Sequence, residues 1–362
     1  MRIWVSILCF VFLLSGAPRV RADAALLLEE PFGSFGHVNP TGHGAIYLPR
    51  VCAVSPVELR HCMPGEAGVV ISRYHRVGGY DWLAIPLLPY LYAVETPGEV
   101  PTYANAKSVA LLRDQYRRKH FPDLVPDGEE GKAPEGDWVQ LVGAAYDRKI
   151  YGFEIETSEA QDERLIREFN DRPNRARFNL FTRNCADFAR ELINFYYPKA
   201  VHRSLLADAG ITTPKQVAKS LVNYSRRHPE LRFSTFVIPQ VPGNLRRSHG
   251  VHGVAESIVR SKEYVVPLLV LHPYITGTIA VAYLWRGRFH PARDVAVLDS
   301  PFELQPQLAA AHPRSPGSQP TPPQKAAGAT LDAKGTADSF SKHSGEDAST
   351  HLPREGDYQG GL

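Results

Sequence analysis

Residues 1–22 constrain this chain most, because they set the compartment in which everything after them folds. Arg2 supplies a positive start, residues 3–14 form an apolar core, and Val20-Arg21-Ala22 ends in a small residue. That pattern reads as a secretory leader, and the mature chain is expected to begin near Asp23. Cys9 lies inside the apolar core and does not follow a small-residue box, which argues against a lipoprotein anchor. The apolar run also falls short of the about 20 residues that a membrane span needs. Export places Cys52, Cys62 and Cys185 in an oxidising compartment. Cys52 and Cys62 flank a short loop and either pair with each other or stand as isolated small hydrophobes; spacing alone does not decide between these. No Cys-x-x-Cys pair is present, so no zinc site is implied, and no metal or other cofactor is expected.

The charge balance excludes one class of partner. With 41 Lys and Arg against 38 Asp and Glu, the formal charge is +3, which gives nucleic-acid binding no support. A hydrophobic share of 43% and a charged share of 22% fit an ordinary globular protein. Residues 301–362 differ in kind: they are dense in Pro, Ser, Gly, Ala and Gln, with only Phe302, Phe340 and Tyr358 as aromatics. Such a segment buries too little apolar surface to order itself, so a disordered tail is expected.

Residues 264–285 contain no Asp, Glu, Lys or Arg. As one helix they would cross a hydrocarbon layer of about 30 Å. Tyr264, Tyr283 and Trp285 sit at the ends, and Arg286, Arg288 and Arg293 follow, matching an aromatic belt and a positive inner flank. The expectation is a transmembrane helix with a cytosolic tail. Pro267, His272 and Pro273 are awkward in a lipid-facing helix, and the alternative is a hairpin packed on the domain.

Between leader and apolar segment the pattern is α+β. Runs at 44–48 and 67–71, bounded by Gly and Pro, suit strands, and residues 149–157 alternate apolar with polar. Ser158 with Gln161 forms a capping box that opens a helix ending before Pro173, and Thr213-Pro214 opens another. Residues 82–94 read as core or as an acyl-chain groove. The division expected is a leader at 1–22, a catalytic domain at 23–242, a linker at 243–263, the membrane helix at 264–285, and a basic flank and tail at 286–362.

The residues able to do chemistry are His43, at the start of a strand, and Cys185. Phe188, Leu192 and Phe195 recur at helical spacing behind Asn184, a good N-cap, so Cys185 falls in a first helical turn. Unpaired N–H groups and the positive end of the helix dipole there favour a thiolate. Asp187 points elsewhere around the helix and is expected to stabilise its start. On residue types alone a structural Cys and a structural His are the commoner outcome.

His43-Gly44-Ala45-Ile46-Tyr47-Leu48, followed far downstream by Asn184-Cys185-Ala186-Asp187-Phe188, resembles the circularly permuted branch of papain-like cysteine enzymes, which includes lecithin:retinol acyltransferase-like proteins. The likeness covers about residues 32–197. Ser34-Phe35-Gly36-His37 is also similar to the periplasmic domain of bacterial lipoprotein N-acyltransferases. The resemblance implies an antiparallel sheet packed on a Cys-bearing helix, with Cys185 as nucleophile and His43 as general base. A third polar residue orients the His in that superfold. Ser72 and Tyr74 share one face of the next strand, Arg73 and His75 the other; His75 is the expected third residue, and His37 competes for the base. The implied function is an exported, membrane-tethered thiol hydrolase or acyltransferase of the cell envelope or periplasm, acting on an acyl lipid or lipoprotein. Cleavage of cell-wall peptide amides and a non-enzymatic envelope binding protein are the alternatives.

Overall fold

The structure is a computed structural model and describes residues 23–33, 40–75, 77–134, 136–204, 208–287, 289–291 and 296–298. The leader, the Ser34-Phe35-Gly36-His37 motif with its rival base His37, and the tail expected at 301–362 lie outside the described residues.

The fold is α+β. Strands β1 (Asp23–Glu29), β2 (His43–Leu48), β5 (Val69–Ser72), β6 (Leu83–Pro86), β7 (Ile150–Glu156), β8 (Ser234–Ile238) and β9 (Ala296–Val297) form one sheet in the order β6-β5-β2-β1-β7-β8-β9. All neighbours are antiparallel except β8 and β9, so the sheet is mixed. Strands β3 (Val51–Ser55) and β4 (Glu58–His61) make a separate hairpin, and Cys52 and Cys62 are joined by a disulfide at its open end.

Strand β1 sits at the centre and is buried on both faces. Ala24, Leu26 and Leu28 enter one core cluster; Ala25 and Leu27 enter the other. Continuous apolar sequence is what a doubly covered strand requires. The first face is covered by α4 (Glu159–Asp171), α5 (Cys185–Tyr196) and α6 (Pro214–Ser225). The second is covered by α1 (Leu87–Tyr92), α2 (Ala106–His120) and the short α3 (Ala144–Asp147). The stretch at 82–94 is core: it supplies β6 and α1, whose residues are almost all buried.

Local caps set the helix starts where the sequence places them. Ser158 accepts the Gln161 N–H and opens α4. Thr213 accepts the Gln216 N–H, with Pro214 at the first helical position of α6, where a missing N–H costs nothing.

The structure adds one element and corrects one expectation. The segment expected as a linker contains helix α7 (Val254–Arg260), fastened to α6 by the buried Lys215–Glu256 ion pair. The single membrane helix expected over 264–285 does not form: α8 (Lys262–Leu271) and α9 (Pro273–Ala282) fold back on each other. Steric conflict with the proline that follows disfavours the α conformation at His272, which leaves it at φ −142°, ψ 66°; Val266, before Pro267, stays helical inside α8. Among the described residues no helix is long and apolar enough to cross a membrane.

Candidate active site

Asn184 caps α5 in extended conformation, its Oδ1 accepting the Asp187 N–H at 2.9 Å, while the Asp187 carboxylate accepts the Asn184 N–H at 3.4 Å. Asp187 is fully buried and also accepts from Arg203 at 2.7 Å and from the Thr212 hydroxyl at 2.5 Å. Its charge is thus committed to the helix start and to the segment before α6, as the helical spacing suggests. Cys185 is the first residue of α5 and stays partly open to a cavity.

Strand β2 brings His43 to the same place. Gly42, at φ +71°, makes the entry: a Cβ there would meet the Glu29 carbonyl oxygen at 2.1 Å, so only glycine lets the chain turn this close to β1. Gly44 then lies against the start of α5, where an added Cβ would be 3.9 Å from the Ala186 Cα. His43 and Cys185 both line a cavity of about 580 Å³, together with Tyr74, Phe178, Ile211 and Pro214.

The contacts of His43 determine its protonation. Its Nε2 lies 3.0 Å from Ser72 Oγ, and Ser72 donates its single hydroxyl proton to the Gly44 carbonyl at 2.8 Å. The serine oxygen can therefore only accept from the ring, which places the proton of neutral His43 on Nε2 and leaves Nδ1 with a free lone pair. Tyr74 stacks on the same ring at 5.3 Å.

Ser72, rather than His75, makes the orienting contact. Strand β5 ends at Ser72, so His75 lies beyond it; its Nδ1 lies 3.0 Å from Asp137 Oδ2, and its side chain is 44% exposed at the cavity rim. The sequence did pair Ser72 with Tyr74 on one face; it held no sign of which face met His43. Arg73 is buried, ion-paired to Asp81 at 2.7 Å, and donates to the Asn184 carbonyl at 3.3 Å, tying the end of β5 to the start of α5.

The electrostatics reverse the expectation of a thiolate. Burial pushes the Cys185 thiol up to about 11; the N–H groups of Gly44 and Ala186 pull the other way and do not prevail. Burial, with Arg148 nearby, lowers His43 to about 3. At rest the cavity wall carries a neutral thiol and a neutral imidazole.

No family model, curated protein or solved structure matches the chain.

The low value for His43 has a consequence for stability. Unfolded imidazole takes its proton near 6.5, whereas the folded ring stays neutral down to about 3. Between those values the unfolded state binds the extra proton, so acid costs stability at about 1.4 kcal/mol per pH unit. We expect His43→Gln to lose less stability than the native chain between pH 7 and pH 5, by about 2 kcal/mol. Urea unfolding at the two pH values measures this; parallel losses would contradict the depressed pKa.

Proposed function

We propose that this chain is an exported thiol-dependent hydrolase or acyltransferase on a circularly permuted papain-like fold. The supporting observation is that His43 and Cys185, remote in sequence, line one cavity, with Ser72 fixing the imidazole tautomer. Cys185 Sγ attacks an ester or amide carbonyl while its proton passes to His43. The backbone N–H of Cys185, in the first turn where the helix itself offers no carbonyl partner, holds the developing oxyanion. Collapse of the tetrahedral species breaks the bond to the leaving alcohol or amine, which takes the proton from His43, and leaves a thioester on Cys185. Water or an amine then gives its proton to His43 and attacks the thioester, and the departing sulfur recovers the proton.

The cavity lining favours an acyl lipid or lipoprotein over a cell-wall peptide: Phe178, Leu180, Phe181, Ile211, Pro214 and Val254 offer apolar surface beside the thiol. The deciding experiment incubates the full chain with phosphatidylcholine vesicles and, separately, with muropeptides, then measures the mass of the Cys185 peptide. An acyl adduct with lysolipid release supports lipid acyl transfer; a muropeptide adduct with cleaved product supports amidase action. Neither adduct in either mixture means a binding protein.

A further inference from the structure

We propose that the α8–α9 hairpin inserts into one leaflet of a lipid bilayer, with the folded domain and the chain beyond residue 287 on the same side. This stands apart from the reading of Cys185.

Each helix has ten residues, which at 1.5 Å per residue is about 15 Å, half of a hydrocarbon layer of about 30 Å. The surface is unusually apolar and open: Val270 is 75% exposed, Leu271 70%, Tyr274 90% and Trp285 74%. Patches of this kind on a folded domain mark a contact surface.

The hydrogen bonding favours lipid as the occupant over a protein. Thr276 and Thr278 turn their hydroxyls back onto the carbonyls of His272 and Tyr274, at 3.2 and 2.9 Å, so neither offers itself to a partner. At the break both backbone groups of His272 are paired from within: its N–H donates to the Leu268 carbonyl at 2.8 Å, and its carbonyl accepts the Thr276 N–H at 3.1 Å. Irregular backbone in hydrocarbon requires such internal pairing. Pro273 brings no N–H to leave unpaired.

Both ends of the hairpin return to α7. The Tyr283 hydroxyl donates to Glu256 at 3.2 Å, and Arg260 reaches the same hydroxyl at 3.5 Å. A chain that leaves the hairpin there emerges on the side from which it entered. Val254, at the start of α7, lines the Cys185 cavity, so the inserted hairpin holds that cavity close to the lipid surface.

The test uses the full chain with phosphatidylcholine–phosphatidylglycerol vesicles added after their formation. In a Tyr274→Trp variant, the new fluorescence should be quenched more by lipids brominated deep in the acyl chain than by those brominated near the headgroup. Protease added outside should reach the chain on the carboxyl side of β9. Val270→Glu combined with Leu271→Glu, both at exposed positions, should lower vesicle partitioning about a hundredfold with the circular dichroism unchanged. The proposal is overturned by a chain that stays in the aqueous phase, by unchanged partitioning of the double variant, by a segment beyond residue 287 shielded inside the vesicle, or by a soluble dimer that the double variant dissociates.

Discussion

Cys185→Ala should abolish acyl transfer, and Cys185→Ser should lower it at least about a thousandfold, because a serine hydroxyl is a far weaker nucleophile than sulfur beside the same base. His43→Gln should cost a similar factor, since proton transfer by a positioned base contributes about 10²–10⁴. Ser72 acts through the ring alone. In Ser72→Ala the proton is free to move to Nδ1, which removes the base, and we expect a loss of about tenfold to a hundredfold in kcat with KM little changed. Ser72→Thr, which keeps the hydroxyl, should restore most of it. The pH profile separates this mechanism from one built on a preformed ion pair. With His43 depressed to about 3 and Cys185 raised to about 11, the productive neutral pair persists across the whole range between them. Acylation should therefore be nearly flat from pH 5 to pH 9, and iodoacetamide should label free Cys185 slowly at neutral pH, faster toward the thiol pKa. A bell centred near neutrality, with rapid labelling, would show that the thiol is ionised at rest.

That contrast locates a limit of reading chemistry from sequence. The helix start at Asn184 was legible because a cap is local: a side chain, three residues and one turn settle it. The favourable field at that start was legible too, and it is small, about 0.3–2 kcal/mol. Burial, which can move a pKa by several units, depends on what the fold packs around the sulfur, and neighbouring residues in the chain do not reveal it. The same distinction separates Ser72 from His75. Alternation was read through 75, but β5 ends at Ser72, and it is the packing of β5 beside β2 that brings Ser72 to the imidazole.

The sheet repeats the lesson. Strands β2, β5 and β7 announce themselves by bounded apolar runs or by alternation. Central β1 does not: Ala24 to Leu28 is continuous apolar sequence, without the period of two that a half-exposed strand carries. Its role depends on pairing with β2 on one side and β7 on the other, a long way along the chain. The apolar segment near the carboxyl side is the converse case. Absence of charge suggested one span, yet the chain breaks before Pro273 and runs on helically through Pro267, so a proline marks where a break is favoured and the packing decides which one is used.

Glu29→Leu should destabilise the fold by about 3–5 kcal/mol, more than an ordinary core substitution, because it strands Arg148. The Glu29 carboxylate is almost wholly buried at the end of β1, directly opposite His43 in the strand register. Arg148, itself 3% exposed, donates to it at 2.9 Å, and the Tyr90 hydroxyl donates to its other oxygen. Burial pushes the Glu29 pKa up against the pull of Arg148, a sign of how costly the charge is in this place. Removing the carboxylate leaves a guanidinium with no compensating charge. Removing both charges, in Glu29→Leu with Arg148→Met, should recover most of the loss, since a well-packed apolar pair often matches a buried ion pair. The double variant also carries a functional reading. Arg148 is one of the two influences that hold His43 low, so its loss should move the imidazole pKa upward, while the desolvation that dominates the shift remains. Urea unfolding of the two single variants and the double gives the coupling energy, and an NMR titration of His43 in the double variant gives the shift. Additive losses would mean that Glu29 and Arg148 do not form a unit, and an unmoved imidazole would mean that burial alone sets the neutral base.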